Sequence, residues 1–155
     1  MKLFSVFLIF MAIGFGQPCL AKGVFPESNG KALVGVKAFN AIVTISTWNE
    51  ETGDRSRMLK NVQAAFELSL RRDGIIVDTN AQNYLFCRLS FAEAFSLVAY
   101  SYTVEYYTIA SAGVHRLQWM RHGIVTVGRN NLLEEDVAKD CTKLVVNEWL
   151  KQNPK

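Results

Sequence analysis

Tyr84-Leu85-Phe86-Cys87-Arg88-Leu89-Ser90-Phe91 alternates without a slip. The period of two puts Leu85, Cys87, Leu89 and Phe91 on one face and Tyr84, Phe86 and Arg88 on the other, the pattern of a strand with one buried side. A cysteine among three large apolar residues belongs on the inward face. The remaining architecture turns on what that cysteine meets.

The other cysteine of the C-terminal half lies on a second apolar pattern. Val137, Cys141, Leu144, Val145 and Glu148/Trp149 recur at spacings of three and four, which describes a helix with Cys141 on its inward stripe. Asn131-Leu132-Leu133-Glu134 resembles a capping box, and Glu134, Glu135 and Asp136 suit the positive end of a helix dipole. Asn153-Pro154 ends the element. Cys87 and Cys141 are expected to pair and pin the terminal helix to the inside of a sheet. Closing so long a loop is worth roughly 4 kcal/mol in the chain-entropy model. Two buried free thiols are the alternative, and an oxidising compartment disfavours it.

Such a compartment is indicated by the first 21 residues. Lys2 precedes an apolar run from Leu3 to Phe15, and Gly14, Gly16 and Pro18 break it before the small residue Ala21, the layout of a secretory signal peptide. The run is shorter than the roughly 20 residues that cross a bilayer, so no transmembrane anchor is expected. A lipid on Cys19 is the competing fate of this segment. Pro18 and Gln17 stand where a lipoprotein signal carries small residues, and cleavage after Ala21 is the better fit. The expected product is a soluble periplasmic or secreted protein, with residues 22–32 as a loose arm and residues 33–155 as one domain.

On the N-terminal side of the strand at Cys87, Leu33 to Trp48 is rich in Val, Ile, Thr and Phe and reads as a strand. A polar loop follows, in which Thr52 or Asp54 can cap a helix carrying Met58, Leu59, Val62, Ala65, Phe66, Ser69 and Leu70 on one stripe. Arg71-Arg72-Asp73-Gly74 terminates it. Ile75-Ile76-Val77 opens the second strand, Asp78-Thr79-Asn80 punctuates it, and Tyr84 to Phe91 completes it. Phe95 to Tyr107 forms a third, with Val98, Tyr100, Tyr102, Val104 and Tyr106 opposite Ala99, Ser101, Thr103 and Glu105. Val114 to Val127 returns as a fourth, with a bulge or break near His122-Gly123. The order β-α-β-β-β-α predicts an α+β fold: an antiparallel-rich four-stranded sheet with two helices on one face.

Chemistry-bearing patterns are sparse. The net charge of +3 is too small for a nucleic-acid footprint. His115 and His122 lack metal-ligand spacing, and nucleophile-elbow, phosphate-loop and dinucleotide patterns do not occur. Glu50/Glu51 reads as a solvated turn and Glu134/Glu135 as a helix opening. No catalytic residue, cofactor or metal is assigned. The candidate partner-binding surface is the aromatic set Tyr100, Tyr102, Tyr106 and Trp119, since tyrosine suits half-wet contacts. Ordinary core packing of the same residues against the helices is the competing reading.

The strand, helix, three strands, helix order after an export signal resembles small α+β modules of the bacterial cell envelope, such as the lipopolysaccharide-assembly lipoprotein and the N-terminal domain of the Tol-system propeller protein. The resemblance covers most of residues 33–150 and is one of topology, without a shared motif. It implies an exported, non-enzymatic protein that binds another cell-envelope protein through an uncovered sheet face or edge strand. A small-ligand or lipid-binding cleft is the alternative, and an enzyme with an unrecognised site a third. An exposed apolar patch would favour a protein partner, and an enclosed apolar cavity a ligand.

Overall fold

The computed structural model describes residues 30–48, 54–110 and 113–154. The alternating stretch becomes β3 (Asn83–Ala94), and around it lie β1 (Ala38–Thr47), α1 (Arg55–Arg72), β2 (Ile76–Val77), β4 (Leu97–Ile109), β5 (His115–Gly128) and α2 (Glu134–Gln152). The fold is α+β with two helices, but the sheet is five-stranded and mixed, in the order β2-β1-β3-β4-β5. This corrects the expected four strands in two ways. β1 runs parallel to both of its neighbours, because α1 returns the chain to the end from which β1 started. The stretch from Ile76 to Phe91 is also two strands, one on each side of β1. Residues 78–82 carry the chain across, turned by the Asp78 carboxylate accepting the Asn80 N–H at 2.9 Å and held by Asn40 Nδ2 donating to the Thr79 carbonyl at 3.0 Å.

β1 also starts later than the sequence suggests. Residues Lys31–Leu33 form a short 3-10 turn, and Gly35 at φ 71° bends the chain before the strand begins. The end of α2 fastens this entry. Asn153 accepts the Gly35 N–H at 2.7 Å and donates to the Leu33 carbonyl at 2.9 Å, and Trp149 Nε1 donates to the Val36 carbonyl at 2.7 Å.

Local signals set the helix ends unevenly. Asp54 caps α1, accepting the N–H groups of Ser56 and Arg57, and Gly74 closes it at φ 89°. The capping box expected at Asn131 does not form. Asn131 ends a 3-10 turn (Arg129–Asn131), and the N-cap of α2 is Leu133, which offers no side-chain acceptor.

The core lies between the two helices and one face of the sheet. Phe39, Ala41, Val43 and Ile45 of β1, Leu85, Leu89 and Phe91 of β3, and Val98 and Val104 of β4 are buried with Met58, Val62, Phe66 and Leu70 of α1 and Val137, Val145 and Trp149 of α2. The disulfide Cys87–Cys141 crosses this interior from β3 to α2, with Cα atoms 6.1 Å apart and a sequence separation of 54. The expected bridge is therefore present.

The two edges of the sheet are treated differently. β2 covers only the first two residues of β1, and side chains of α1 take over where it stops. Gln63 Oε1 accepts the Val43 N–H at 2.7 Å, Gln63 Nε2 donates to the Ala41 carbonyl at 2.8 Å, and Arg55 donates to the Ile45 carbonyl. They stand in for a neighbouring strand. At the opposite edge, β5 pairs, among the described strands, with β4 alone.

The export signal with Cys19 and Ala21, most of the arm and the Glu50/Glu51 pair lie outside the described residues. Among the described residues, no helix is long and apolar enough to cross a membrane.

Candidate functional site: the uncovered sheet face

Pairing between β3 and β4 fixes which side chains share a face. Leu85 opposes Tyr106, Cys87 opposes Val104 and Phe91 opposes Tyr100, so all of these point at the helices. Tyr100, Tyr106 and Trp119 are buried there, which corrects their candidacy as a partner-binding surface. The two phenols are turned to internal uses. Tyr100 Oη donates to Asp140 of α2 at 2.6 Å, and Tyr106 Oη donates to Asn83 at 3.2 Å. Burial, and then the hydrogen bond to Asp140, pushes the Tyr100 phenol well above its ordinary range. Tyr102 is half-buried on the same side, and its ring lies over Gly123, its cross-strand partner on β5.

The opposite face carries a second aromatic set. Asn40, Tyr84, Tyr107 and Leu117 form one row across β1, β3, β4 and β5, and Ile42, Phe86, Glu105 and Met120 form the next. The Tyr84 and Phe86 rings stack at 6.2 Å, Phe86 meets Tyr107 edge-on at 5.6 Å, and His115 tilts against Tyr84 at 5.4 Å. The Arg88 guanidinium sits 5.4 Å from the Phe86 centroid and forms an ion pair with Glu105 at 2.7 Å. Tyr107 Oη donates to the same Glu105 carboxylate at 3.2 Å. Ile124, also on this face, is 75% exposed.

No helix among the described residues packs on this side, so Tyr84, Phe86 and Tyr107 are shielded by one another, Arg88 and His115 and remain half-exposed. Burial followed by the Glu105 charge raises the Tyr107 phenol, and the Glu105 hydrogen bond raises the Arg88 guanidinium. The cluster is thus an apolar patch with one ion pair at its centre. That composition suits contact with another macromolecule's surface, because aromatic rings bring area without many rotamers to freeze.

Alternation in the sequence sets Tyr84, Phe86 and Arg88 opposite Cys87. Once Cys87 is inward, those three face out, and antiparallel pairing adds Tyr107 and Glu105 to them. The signal was available in the cysteine assignment.

The histidines also settle on this face. The expected bulge near Gly123 lies instead at Gln118, where register slips between the Tyr106–Trp119 and Tyr107–Leu117 pairs. The extra residue compensates the odd separation of His115 and His122, and both project outward, His115 at the start of β5 and His122 at its middle. Among the described residues, no group of three or more His, Cys, Asp or Glu could hold a metal ion. Gly123 answers a different need: a Cβ there would lie 2.4 Å from Tyr102 Cζ.

A groove of about 420 Å³ runs between the helices. Leu68, Arg72, Glu135, Asp136 and Lys139 line it, charges of both signs that do not suit an acyl chain.

Neither a protein-family model nor a curated protein matches the chain. Among solved structures it is similar to a point variant of the PelC dodecamer from Paraburkholderia phytofirmans, at 16% identity over 81% of this chain and 92% of that one, with a TM-score of 0.49. A second crystal form of the PelC dodecamer matches at 17% identity over 74% of this chain and 88% of that one, with a TM-score of 0.48. A likeness this loose says nothing about activity.

Proposed function

We propose that the chain is an exported, non-enzymatic docking module of the cell envelope, and that it holds a protein partner on the uncovered sheet face. The observation that carries this reading is the half-exposed cluster of Tyr84, Phe86 and Tyr107 on the side that the helices leave open. A sheet that buries one face and presents packed aromatics on the other has a surface unlike the solvated face of an ordinary antiparallel sheet, which carries polar residues in those rows. Export is supported by the apolar N-terminal run and by the Cys87–Cys141 bridge, a bond that persists in oxidising compartments.

A photoreactive amino acid placed at position 86, with the same group at the exposed Ala64 of α1 as control, tests the reading. A discrete cross-linked adduct from position 86 that is absent from position 64, and that disappears with Tyr84→Ser and Tyr107→Ser, is the expected result. Equal or absent labelling from both positions would remove the face as the docking site. The groove between the helices is the site of the competing small-ligand reading, and Arg72→Glu would weaken an anionic ligand there while leaving the position 86 adduct intact.

A further inference from the structure

We propose that the free edge of β5 accepts an extended, acidic segment of a partner protein as a sixth strand. This rests on the docking reading of the open side and specifies the partner's form and charge.

The geometry of the two edges carries the inference. An unpaired strand edge presents a row of N–H and C=O groups that can pair with any extended chain, and folds commonly cover, shorten or distort such edges. Here one edge is closed twice over, by a two-residue β2 and by the Gln63 and Arg55 side chains that satisfy β1 beyond it. The other edge is a strand of 14 residues, the longest in the sheet, and no strand among the described residues pairs with its outer side. Only the bulge at Gln118 interrupts it, which leaves a regular run from Trp119 to Gly128. Helix cover also thins out at this edge: Gly123, Val125 and Val127 face the helix side yet are only half-buried, and Ile124 on the other side is exposed. An added strand would shield both rows.

Charge selects the occupant. Residues 110–133 contain Arg116, Arg121, Arg129, His115 and His122 and no carboxylate at all. Arg129 is bound to Glu93 and Arg121 lies near Glu148, but Arg116, His115 and His122 are exposed along the strand. A second copy of the chain pairing β5 to β5 would set its arginines against those of the first with no carboxylate on the strand to offset them, and like charges opposed across a strand pair are destabilising. A segment alternating apolar and acidic residues satisfies the backbone, fills the half-exposed rows, meets the arginines and can accept hydrogen bonds from His115 and His122.

The test uses the purified protein with two nine-residue probes, one alternating Val and Glu and the other Val and Lys. Backbone hydrogen exchange over residues 115–128 is followed with and without each. The acidic probe is expected to slow exchange in β5 and to bind about tenfold more tightly than the basic one. Arg116→Glu with His122→Glu, both at exposed positions, should abolish or invert that preference without altering the melting temperature, and Arg116→Gln with His122→Gln should give an intermediate loss. Equal protection by both probes, protection by neither, or an acidic preference untouched by the charge reversal overturns the proposal. Protection of β5 that appears without peptide and grows with protein concentration overturns it too, in favour of a second copy. The position 86 adduct is read separately: an adduct that survives charge reversal alongside a failed peptide test leaves the docking face standing and removes only the acidic strand.

Discussion

The ring of Tyr102 rests on the backbone of Gly123, directly across the β4–β5 ladder, so close that a Cβ at position 123 would fall 2.4 Å from both Cζ and Oη. Each residue explains the other. Glycine weakens a strand because it has no side chain to pack, and the aromatic ring supplies the missing cover from the neighbouring strand.

Gly123→Ala should therefore destabilise the protein by about 1 kcal/mol, because Tyr102 must swing off its seat. In a Tyr102→Ala background the same change should stabilise by about 0.5–1 kcal/mol, the ordinary benefit of replacing a strand glycine. Urea unfolding of the four proteins of this cycle measures the coupling, and an unchanged sign would show that the ring contact does not govern position 123.

Gln63 acts as a surrogate strand at the other side of the sheet. Gln63→Leu keeps the volume and leaves the Val43 N–H and the Ala41 carbonyl without their partner. The expected cost is about 1–3 kcal/mol, together with faster hydrogen exchange at Val43 and little change at Cys87 on the adjacent strand. A loss spread evenly over the domain would mean that the side chain contributes only general packing.

Most of this architecture was legible in the chain because alternation and the three-four stripe are local signals. Cys87 and Cys141 each sat on an apolar face, and those two assignments sufficed to place α2 over β3. What the sequence did not disclose depends on partners distant in the chain. Ile76-Val77 and Tyr84-Leu85 read as one interrupted strand because nothing local reveals that the chain crosses β1 between them. Asn131 resembled a cap because the 3-10 turn that precedes α2 leaves no trace in side-chain pattern. The aromatic residues of β4 invited a surface reading, whereas their facing residues on β3 settle them as core. The aromatic patch that is exposed lies on the faces opposite, at Phe86 and Tyr107.

Removing the bridge with Cys87→Ala and Cys141→Ala should lower stability by up to about 4 kcal/mol, since the closed loop spans 54 residues. Both sulfurs lie in the core, so part of any loss comes from the space they leave. Reduction of the native protein separates the terms: a reductant should lower its melting temperature and leave the double variant unaffected. Equal responses of the two proteins would contradict a structural role for the bond.

Alkaline pH should unfold the protein through its buried phenols. Burial raises the phenols of Tyr100, Tyr102, Tyr106 and Tyr107 above the ordinary value of 10.0, and Asp140 adds to it at Tyr100. A folded state that holds these protons more tightly than the unfolded chain gains stability that is complete below pH 10 and is lost as pH rises through the folded-state values. Absorbance of ionised tyrosine should therefore lag behind that of a free phenol and then rise together with loss of circular dichroism. Asp140→Asn should let the Tyr100 phenol ionise at lower pH than in the parent protein, and a titration unaltered by that change would separate Tyr100 from Asp140.

Phe95 occupies the tip of the β3–β4 hairpin, in a two-residue turn between the paired Ala94 and Leu97. Its φ is 55° and it is 99% exposed, so the chain holds a bulky residue in the left-handed region without burying any of it. Left-handed backbone costs a residue with a Cβ about 1–2 kcal/mol, and turns of this kind ordinarily place Asn or Gly there. Phe95→Gly should accordingly stabilise the domain by up to about 1 kcal/mol in urea unfolding, and Phe95→Asn by less. Phe95→Val should destabilise it, because branching at Cβ deepens the same clash. If glycine proves no better than phenylalanine, the strain is being relieved by contacts at the hairpin tip, and Arg129, which donates to both Glu93 and the Phe95 carbonyl, is the residue to remove next.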